Sequence, residues 1–256
     1  MLNESQQHSL TPLFDLCRQV IPYLDGKCLS PSLSHETPEE NWLIGEAQDK
    51  PIIHNLFNEL KAHHPEAGQR YYMTRTWELL CWQPMYISFI AIYGLQARVD
   101  LSTFMQPHQD HSIYTFRCVD HQLETGEIQP LIIKAANQLN ALFEHYRQSL
   151  DNLVRVRPGY VKRLNADLIL SILMKLPTLL PHFSQQDVFE HARLWLKAMH
   201  MPEHLVNSLS VDDQQVLQHA RTSCCLTYEA NNTPCDNCPK LDKLQSVTEQ
   251  TVCHER

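Results

Sequence analysis

The spacing of apolar residues predicts a chain built mainly of helices. Apolar side chains recur every three or four positions, the period of a helix, in six segments: residues 9–24, 51–63, 71–93, 131–154, 159–176 and 184–199. Asp49 is expected to cap the second of these helices, Pro84 to kink or restart the third, and Gly94 to end it. Ser184 and Asp187 have the spacing of a capping box at the start of the last one.

Elsewhere the pattern changes to an alternation of apolar and polar residues, which predicts strands. Residues 97–104 and 112–119 alternate in this way, and we expect them to form a hairpin joined by residues 105–111. Residues 26–40 are rich in Pro, Ser and Glu and predict a loop. Residues 210–221 begin with Ser-Val-Asp-Asp and predict a further helix. The expected fold class is therefore α+β, with a mostly helical body and one small antiparallel β-hairpin.

Composition narrows the classes of function. The 256 residues are 43% hydrophobic and carry a formal charge of −8, which argues against a nucleic-acid surface. No basic region followed by an apolar run is found at the N-terminus, so no signal peptide is expected. The apolar stretch 79–95 is broken by Gln83 and Pro84, and no transmembrane segment is expected, although peripheral contact with the inner membrane stays open. We expect a cytoplasmic protein.

The most informative feature is a group of cysteines near the C-terminus. Four of the nine cysteines, Cys224, Cys225, Cys235 and Cys238, lie within fifteen consecutive positions. Four thiolates can ligate a [2Fe–2S] cluster or a tetrahedral zinc ion. The two residues between Cys235 and Cys238 would let one turn present both sulfurs to a single metal. The side chains of Cys224 and Cys225 diverge, which suits a cluster of two metals better than one ion.

This pattern resembles the iron–sulfur signature of the FhuF-like ferric siderophore reductases, whose cysteines are spaced Cys-Cys-x10-Cys-x2-Cys. Here the gap, residues 226–234, is nine residues long, a difference that a surface loop absorbs easily. Pro239 follows the last cysteine, and Arg221 and Tyr228 beside the signature also resemble the family. A second similarity lies in residues 163–173, which resemble an Arg- and Asn-containing helix of these proteins.

The resemblance implies a cytoplasmic iron–sulfur oxidoreductase for iron acquisition. Such an enzyme reduces siderophore-bound Fe(III) to Fe(II) by electron transfer through a [2Fe–2S] cluster, whose ligands here would be Cys224, Cys225, Cys235 and Cys238. The resemblance assigns no catalytic residue. The six glycines form no dinucleotide-binding fingerprint, so we expect the electrons to come from an external donor protein of the ferredoxin or flavodoxin type. We also expect the charge of Arg221 to raise the cluster potential.

The chain is expected to consist of three parts. Residues 1–222 would form the helical α+β reductase body, residues 223–240 the cluster-binding segment, and residues 241–256 a polar tail. The division follows the position of the cysteines and the polar composition of the last residues.

Two other classes of function stay open. The four cysteines could hold a structural zinc ion in a helical interaction protein without catalysis, and a [4Fe–4S] cluster is a further possibility. Alternatively, His108 and Asp110 match the His-x-Asp part of the facial triad of non-haem iron oxygenases, with His182 or His191 as third ligand. The barrel of strands that such oxygenases use is not predicted here.

Overall fold

The computed structural model describes residues 9–29 and 41–241. Its contacts divide them into two compact units, one formed by residues 9–29, 41–59 and 79–155 and the other by residues 60–78 and 156–241. The fold is α+β and mostly helical, as predicted. The division at residues 222 and 240 that the cysteines suggest stays a prediction, and residues 242–256 of the expected tail lie outside the described part of the chain.

The first unit combines helices with a mixed sheet. Its helices are α1 (Thr11–Val20), part of α2 (Asp49–His63), part of α3 (Gln69–Leu95) and α4 (Ile128–Asp151). Its strands are β1 (Gly26–Leu29), β2 (Trp42–Leu43), β3 (Ala97–Arg98), β4 (Phe104–Gln109), β5 (Ser112–Ile113), β6 (Phe116–Val119) and β7 (Glu124–Thr125). A 3₁₀ helix, Leu101–Thr103, precedes β4.

The larger sheet has the strand order β1-β6-β4-β2, and β5 also pairs with β4. Strands β1 and β6 are parallel, whereas the other pairs are antiparallel. A Cβ atom on Gly26 would lie 2.4 Å from the ring of Phe116, so only glycine allows this close packing. The predicted loop over residues 26–40 is therefore wrong at residues 26–29, which form β1; residues 30–40 lie outside the described residues.

The predicted hairpin exists, but its first strand is shifted. The side chain of Asp100 accepts a hydrogen bond from the Ser102 N–H at 3.0 Å, and the resulting 3₁₀ turn interrupts the expected strand 97–104. The antiparallel partner of β6 is β4, which occupies most of the predicted connection. The segment includes Pro107, a residue that sheets accept only in particular positions. The next residue, His108, provides the N–H that bonds the Asn41 carbonyl at 3.0 Å.

Helix α3 passes through Pro84 without restarting and ends at Leu95, close to the predicted Gly94. Proline has no N–H, so it leaves the carbonyl four residues earlier without its helical partner. That carbonyl, on Leu80, accepts a hydrogen bond from Gln106 Nε2 at 3.2 Å. This contact from β4 explains how the helix tolerates proline. Within the described residues, no helix is long and apolar enough to cross a membrane.

Of the two predicted helix N-caps, one is wrong and one is confirmed. The carboxylate of Asp49 accepts hydrogen bonds from the N–H groups of Ile44 and Gly45, at 2.8 and 2.9 Å. Asp49 thus holds the preceding loop and does not cap α2 as predicted. The capping box of Ser184 and Asp187 is confirmed at the start of α7.

The second unit is a helical layer with one hairpin. Besides the end of α2 and the first part of α3, it contains α5 (Pro158–Leu173), α6 (Leu176–Leu179), α7 (Gln185–Ala198), a 3₁₀ helix (Glu203–Ser208), β8 (Leu209–Val211), β9 (Leu217–His219) and α8 (Tyr228–Asn231). Helices α5 and α7 pack against each other. Their contact buries apolar side chains such as Ile169, Leu170 and Trp195, and this core supports the segment that carries the cysteines.

The helix predicted over residues 210–221 is wrong, because β8 and β9 form an antiparallel hairpin there. Asp212 Oδ1 accepts hydrogen bonds from the N–H groups of Gln214 and Val216, both at 2.9 Å. Gln215 adopts a left-handed backbone with φ of 61°. An aspartate that caps a tight turn has the same sequence signal as one that caps a helix, and here the turn forms.

Candidate functional site

The four C-terminal cysteines come together in the second unit as two pairs of free thiols. The Sγ atoms of Cys224 and Cys238 are 3.8 Å apart, and those of Cys225 and Cys235 are 3.4 Å apart. Each pair joins one residue of the adjacent Cys224-Cys225 couple to one residue of the later Cys-x-x-Cys turn. The pairing therefore differs from the expected one, in which Cys235 and Cys238 face a single metal.

The two pairs differ in burial. Cys224, Cys225 and Cys238 are buried, whereas Cys235 is partly exposed. The backbone turn of the later pair is closed by a hydrogen bond from the Cys238 N–H to the Cys235 carbonyl at 3.0 Å. The Cys225–Cys235 pair is consequently the side of the site nearer to solvent.

Asp167, on α5, fixes the backbone immediately before the cysteines. Its fully buried carboxylate accepts hydrogen bonds from the N–H groups of Thr222 and Ser223, at 2.9 and 2.8 Å, and from the Thr222 hydroxyl at 3.0 Å. His219 Nε2 and Arg221 Nε also lie within 4 Å of this carboxylate, at 3.5 and 3.9 Å. A buried charge of this kind is tolerated only when several donors surround it.

A second contact holds the first cysteine from the start of the same helix. The Tyr160 hydroxyl donates to the Cys224 carbonyl at 2.9 Å and lies 3.1 Å from the Thr74 hydroxyl. One turn further along α5, Asn165 Oδ1 accepts a hydrogen bond from Trp77 Nε1 at 2.9 Å. Helix α5 therefore presents polar side chains to both α3 and the cysteine segment, which is how residues 163–173 contribute to the site.

Hydrogen-bond donors near the thiols would stabilise their charged forms. The Thr227 hydroxyl donates to Cys225 Sγ at 3.1 Å. The residue between them, Leu226, is fully buried and has a left-handed backbone with φ of 61°, which costs a non-glycine residue about 1 kcal/mol. Such strain is commonly found where a backbone is held in place for function.

The pKa values of the metal-free thiols differ within the site. Burial raises the pKa of Cys235 to about 12, and the neighbouring Cys225 adds to this effect. Burial also acts to raise the pKa of Cys225, but the hydrogen bonds from Thr227 outweigh it and the pKa is lowered. The pKa of Cys224 is raised by burial despite a hydrogen bond from the Leu226 N–H. Metal binding at this site would therefore release protons.

A cleft of about 390 Å³ opens beside the more exposed pair. Cys225 and Cys235 line it together with Glu78, Arg221, Thr227, Asn231, Thr233 and Pro234. Arg221 lies 3.8 Å from Glu78 across this cleft. Burial acts to lower the pKa of Arg221, but Cys225 and Glu78 outweigh it, so the side chain stays charged. The cleft thus places one cation beside the two sulfurs.

The division of the sulfurs bears on the metal that they could hold. Two thiolates on one tetrahedral metal with bonds of about 2.3 Å lie about 3.8 Å apart, and each cysteine pair is close to this separation. Two such pairs match a centre with two metals and two thiolates on each. Across residues 9–29 and 41–241, no three His, Cys, Asp or Glu side chains gather closely enough to hold one metal ion.

A further observation concerns Ser223, directly before the first pair. Its hydroxyl is buried and has no hydrogen-bond partner, which is uncommon and usually has a reason. The four thiols in their two close pairs, and not this hydroxyl, are what fits a two-metal cluster.

The residues suggested for a facial triad have other surroundings. His108 Nε2 lies 2.8 Å from Glu59 Oε2, and Asp110 is exposed in the β4–β5 turn with φ of 51°. In the second unit, His182 is exposed and the ring of His191 packs against Phe183 with centroids 5.0 Å apart. Among the described residues they form no metal-binding group.

Three residues of the site were given no role from the sequence. Asp167, Tyr160 and Thr227 act through hydrogen bonds to the cysteine segment. Asp167 is a charged residue within an apolar helical run, and that contrast was the one available hint. No protein-family model matches the chain, and no solved structure gives a significant match to it.

Proposed function

We propose that the protein is a ferric-siderophore reductase that carries a [2Fe–2S] cluster on Cys224, Cys225, Cys235 and Cys238. The observation that carries this proposal is the arrangement of the four sulfurs in two pairs at 3.4 and 3.8 Å. The resemblance of the cysteine spacing to the FhuF-like reductases supplies the substrate. A bound cluster would supply a one-electron carrier.

The surrounding residues suit this role. Asp167 and Tyr160 hold the backbone on which Cys224 and Cys225 lie, so the first two ligands are placed before any metal arrives. The cleft beside Cys225 and Cys235 gives a partner access to one side of the site. A buried redox centre with one accessible side can exchange electrons while it stays protected from water.

The substrate chemistry requires only one electron for each iron. Siderophores bind Fe(III) through hard oxygen donors, which suit this small, highly charged ion. One added electron gives Fe(II), which these donors hold poorly, so the metal is released while the siderophore stays intact. The electron must come from a donor protein, for which we propose a ferredoxin or flavodoxin type, and we place the reaction in the cytoplasm.

Metal analysis of the anaerobically purified protein tests the cluster. We expect a red-brown protein with about two irons per chain, whose visible absorption bleaches when dithionite is added. A colourless protein with one zinc per chain would contradict the proposal and indicate a structural site. A colourless, metal-free protein that takes up no iron and sulfide on reconstitution would also contradict it.

Trapping of released Fe(II) tests the substrate. The dithionite-reduced protein, freed of excess reductant, is mixed with a ferric trihydroxamate or a ferric triscatecholate in the presence of an Fe(II)-specific chelator. We expect up to one Fe(II) per chain to be trapped and the cluster absorption to return. A protein that keeps its reduced cluster with both complexes would show that the centre serves another reaction.

Replacing Arg221 by alanine is expected to lower the midpoint potential of the cluster. Arg221 is the cation of the cleft that Cys225 and Cys235 line, and its loss leaves the carboxylates of Glu78 and Asp167 beside the site. Added negative charge favours the oxidised cluster. Potentiometric titration of wild type, Arg221→Ala and the charge-preserving Arg221→Lys measures this effect. Equal potentials for wild type and Arg221→Ala would show that Arg221 does not raise the cluster potential.

A further inference from the structure

The two cysteine pairs have different surroundings, and this difference concerns how the site exchanges electrons. The Cys225–Cys235 pair lines the cleft and includes the one partly exposed cysteine of the four. The Cys224–Cys238 pair is buried on both members, at 9% and 7% exposure. A partner that approaches from solvent therefore meets the Cys225–Cys235 pair.

Hydrogen bonding also differs between the pairs. The Thr227 hydroxyl donates to Cys225 Sγ at 3.1 Å, and Thr227 itself lines the cleft. At the other pair, the Cys224 thiol receives a hydrogen bond from the Leu226 backbone, and the Tyr160 hydroxyl donates to the Cys224 carbonyl and not to a sulfur. Hydrogen bonds to ligand sulfurs draw off negative charge and favour the reduced state of an iron–sulfur centre.

We propose that the site exchanges electrons through the Cys225–Cys235 side, and that Thr227 is the residue that tunes the potential of this side. The inference rests on the proposed function, because it requires a cluster on the four cysteines. It adds Thr227 as a positioning residue outside the four ligands. It also assigns the cleft as the face on which the electron acceptor, the ferric siderophore, docks. Oxidised acceptor and reduced protein exchange one electron there, and no bond in the protein forms or breaks.

The first test compares substitutions at two threonines of the same cleft. Thr227→Val removes the donor to Cys225, whereas Thr233→Val removes a hydroxyl that donates to the Asn231 carbonyl at 3.3 Å. We expect Thr227→Val to lower the reduction equilibrium constant about tenfold, which is about 59 mV for a one-electron couple. Thr227→Ser keeps a hydroxyl and should retain the wild-type potential, and Thr233→Val should retain it as well.

The second test blocks the cleft. Thr233 lines the cleft and is exposed, and Thr233→Trp places a bulky side chain there without replacing a ligand. We expect stopped-flow reoxidation of the reduced protein by hexaamminecobalt(III) to be severalfold slower at an unchanged potential. The control is Gln214→Trp, an exposed position in the β8–β9 turn that does not line the cleft, and its rate should match the wild-type rate.

The outcomes separate this inference from the proposed function. A red-brown protein in which Thr227→Val keeps the wild-type potential overturns the role of Thr227. A red-brown Thr233→Trp variant that is reoxidised at the wild-type rate overturns the assignment of the cleft. A wild-type protein without a cluster overturns the proposed function itself, and the metal analysis shows this before any variant is made.

Discussion

Replacing Cys235 by serine is expected to abolish or severely weaken cluster binding. Cys235 is the partner of Cys225 in the more exposed pair, with their sulfurs 3.4 Å apart, so its loss leaves one metal with a single protein thiolate. Loss of an outer-shell partner already costs about 10–100-fold in metal affinity, and loss of a direct ligand should cost at least as much. Iron quantification and the visible spectrum of the purified variant measure the effect.

The matched control for this variant is Cys28→Ser. Cys28 is also a partly buried free thiol, but it lies on β1 in the first unit, where its sulfur contacts Asp120 at 3.7 Å. This variant should retain about two irons per chain. A Cys235→Ser protein with a full and stable cluster would mean that a different set of ligands holds the metal.

Replacing Asp167 by alanine is expected to destabilise the second unit and to empty the site. The substitution removes the acceptor of three hydrogen bonds from Thr222 and Ser223 and leaves a buried donor on Ser223 and two partly buried donors on Thr222 unpaired. It also removes the carboxylate near Arg221. Breaking a buried charge network in this way costs about 3–5 kcal/mol of unfolding free energy. Urea unfolding followed by circular dichroism, together with iron content, measures both effects.

Two further variants test whether the loss of stability and of iron is specific to the carboxylate of Asp167. Asp167→Asn keeps one acceptor oxygen and should lose less stability than Asp167→Ala. Asp187→Ala removes an aspartate from the exposed capping box of α7, and such a cap contributes about 1 kcal/mol; its iron content should stay unchanged. If Asp167→Ala unfolds at the same urea concentration as Asp187→Ala and keeps its iron, Asp167 does not anchor the site.

Local sequence patterns predicted the long helices well. Helices α4, α5 and α7 were expected from their apolar spacing, and the capping box at Ser184 was recognised because its hydrogen bonds join residues only three positions apart. Such signals are contained in one stretch of chain. The same local view failed at residues 209–219, where a turn capped by Asp212 replaced the expected helix start.

The short strands were harder to predict for a different reason. Strand β1 has only four residues, and it is defined by parallel pairing with β6, about ninety positions later in the chain. Strand β4 contains Pro107, which argues against a strand until its neighbours in the sheet are known. Whether such a strand forms depends on a partner strand far away in the sequence, so the residues of the strand alone do not predict it.

The sequence by itself determined which four cysteines form the site, because their closeness along the chain forces their sulfurs into one region. Only the tertiary structure decided how these sulfurs divide: Cys224 with Cys238 and Cys225 with Cys235. It also decided that Asp167 anchors the segment and that the cleft opens beside Cys225 and Cys235. The physical reason is that sulfur positions follow from backbone direction, and a buried carboxylate on α5, more than fifty residues away in the chain, sets that direction.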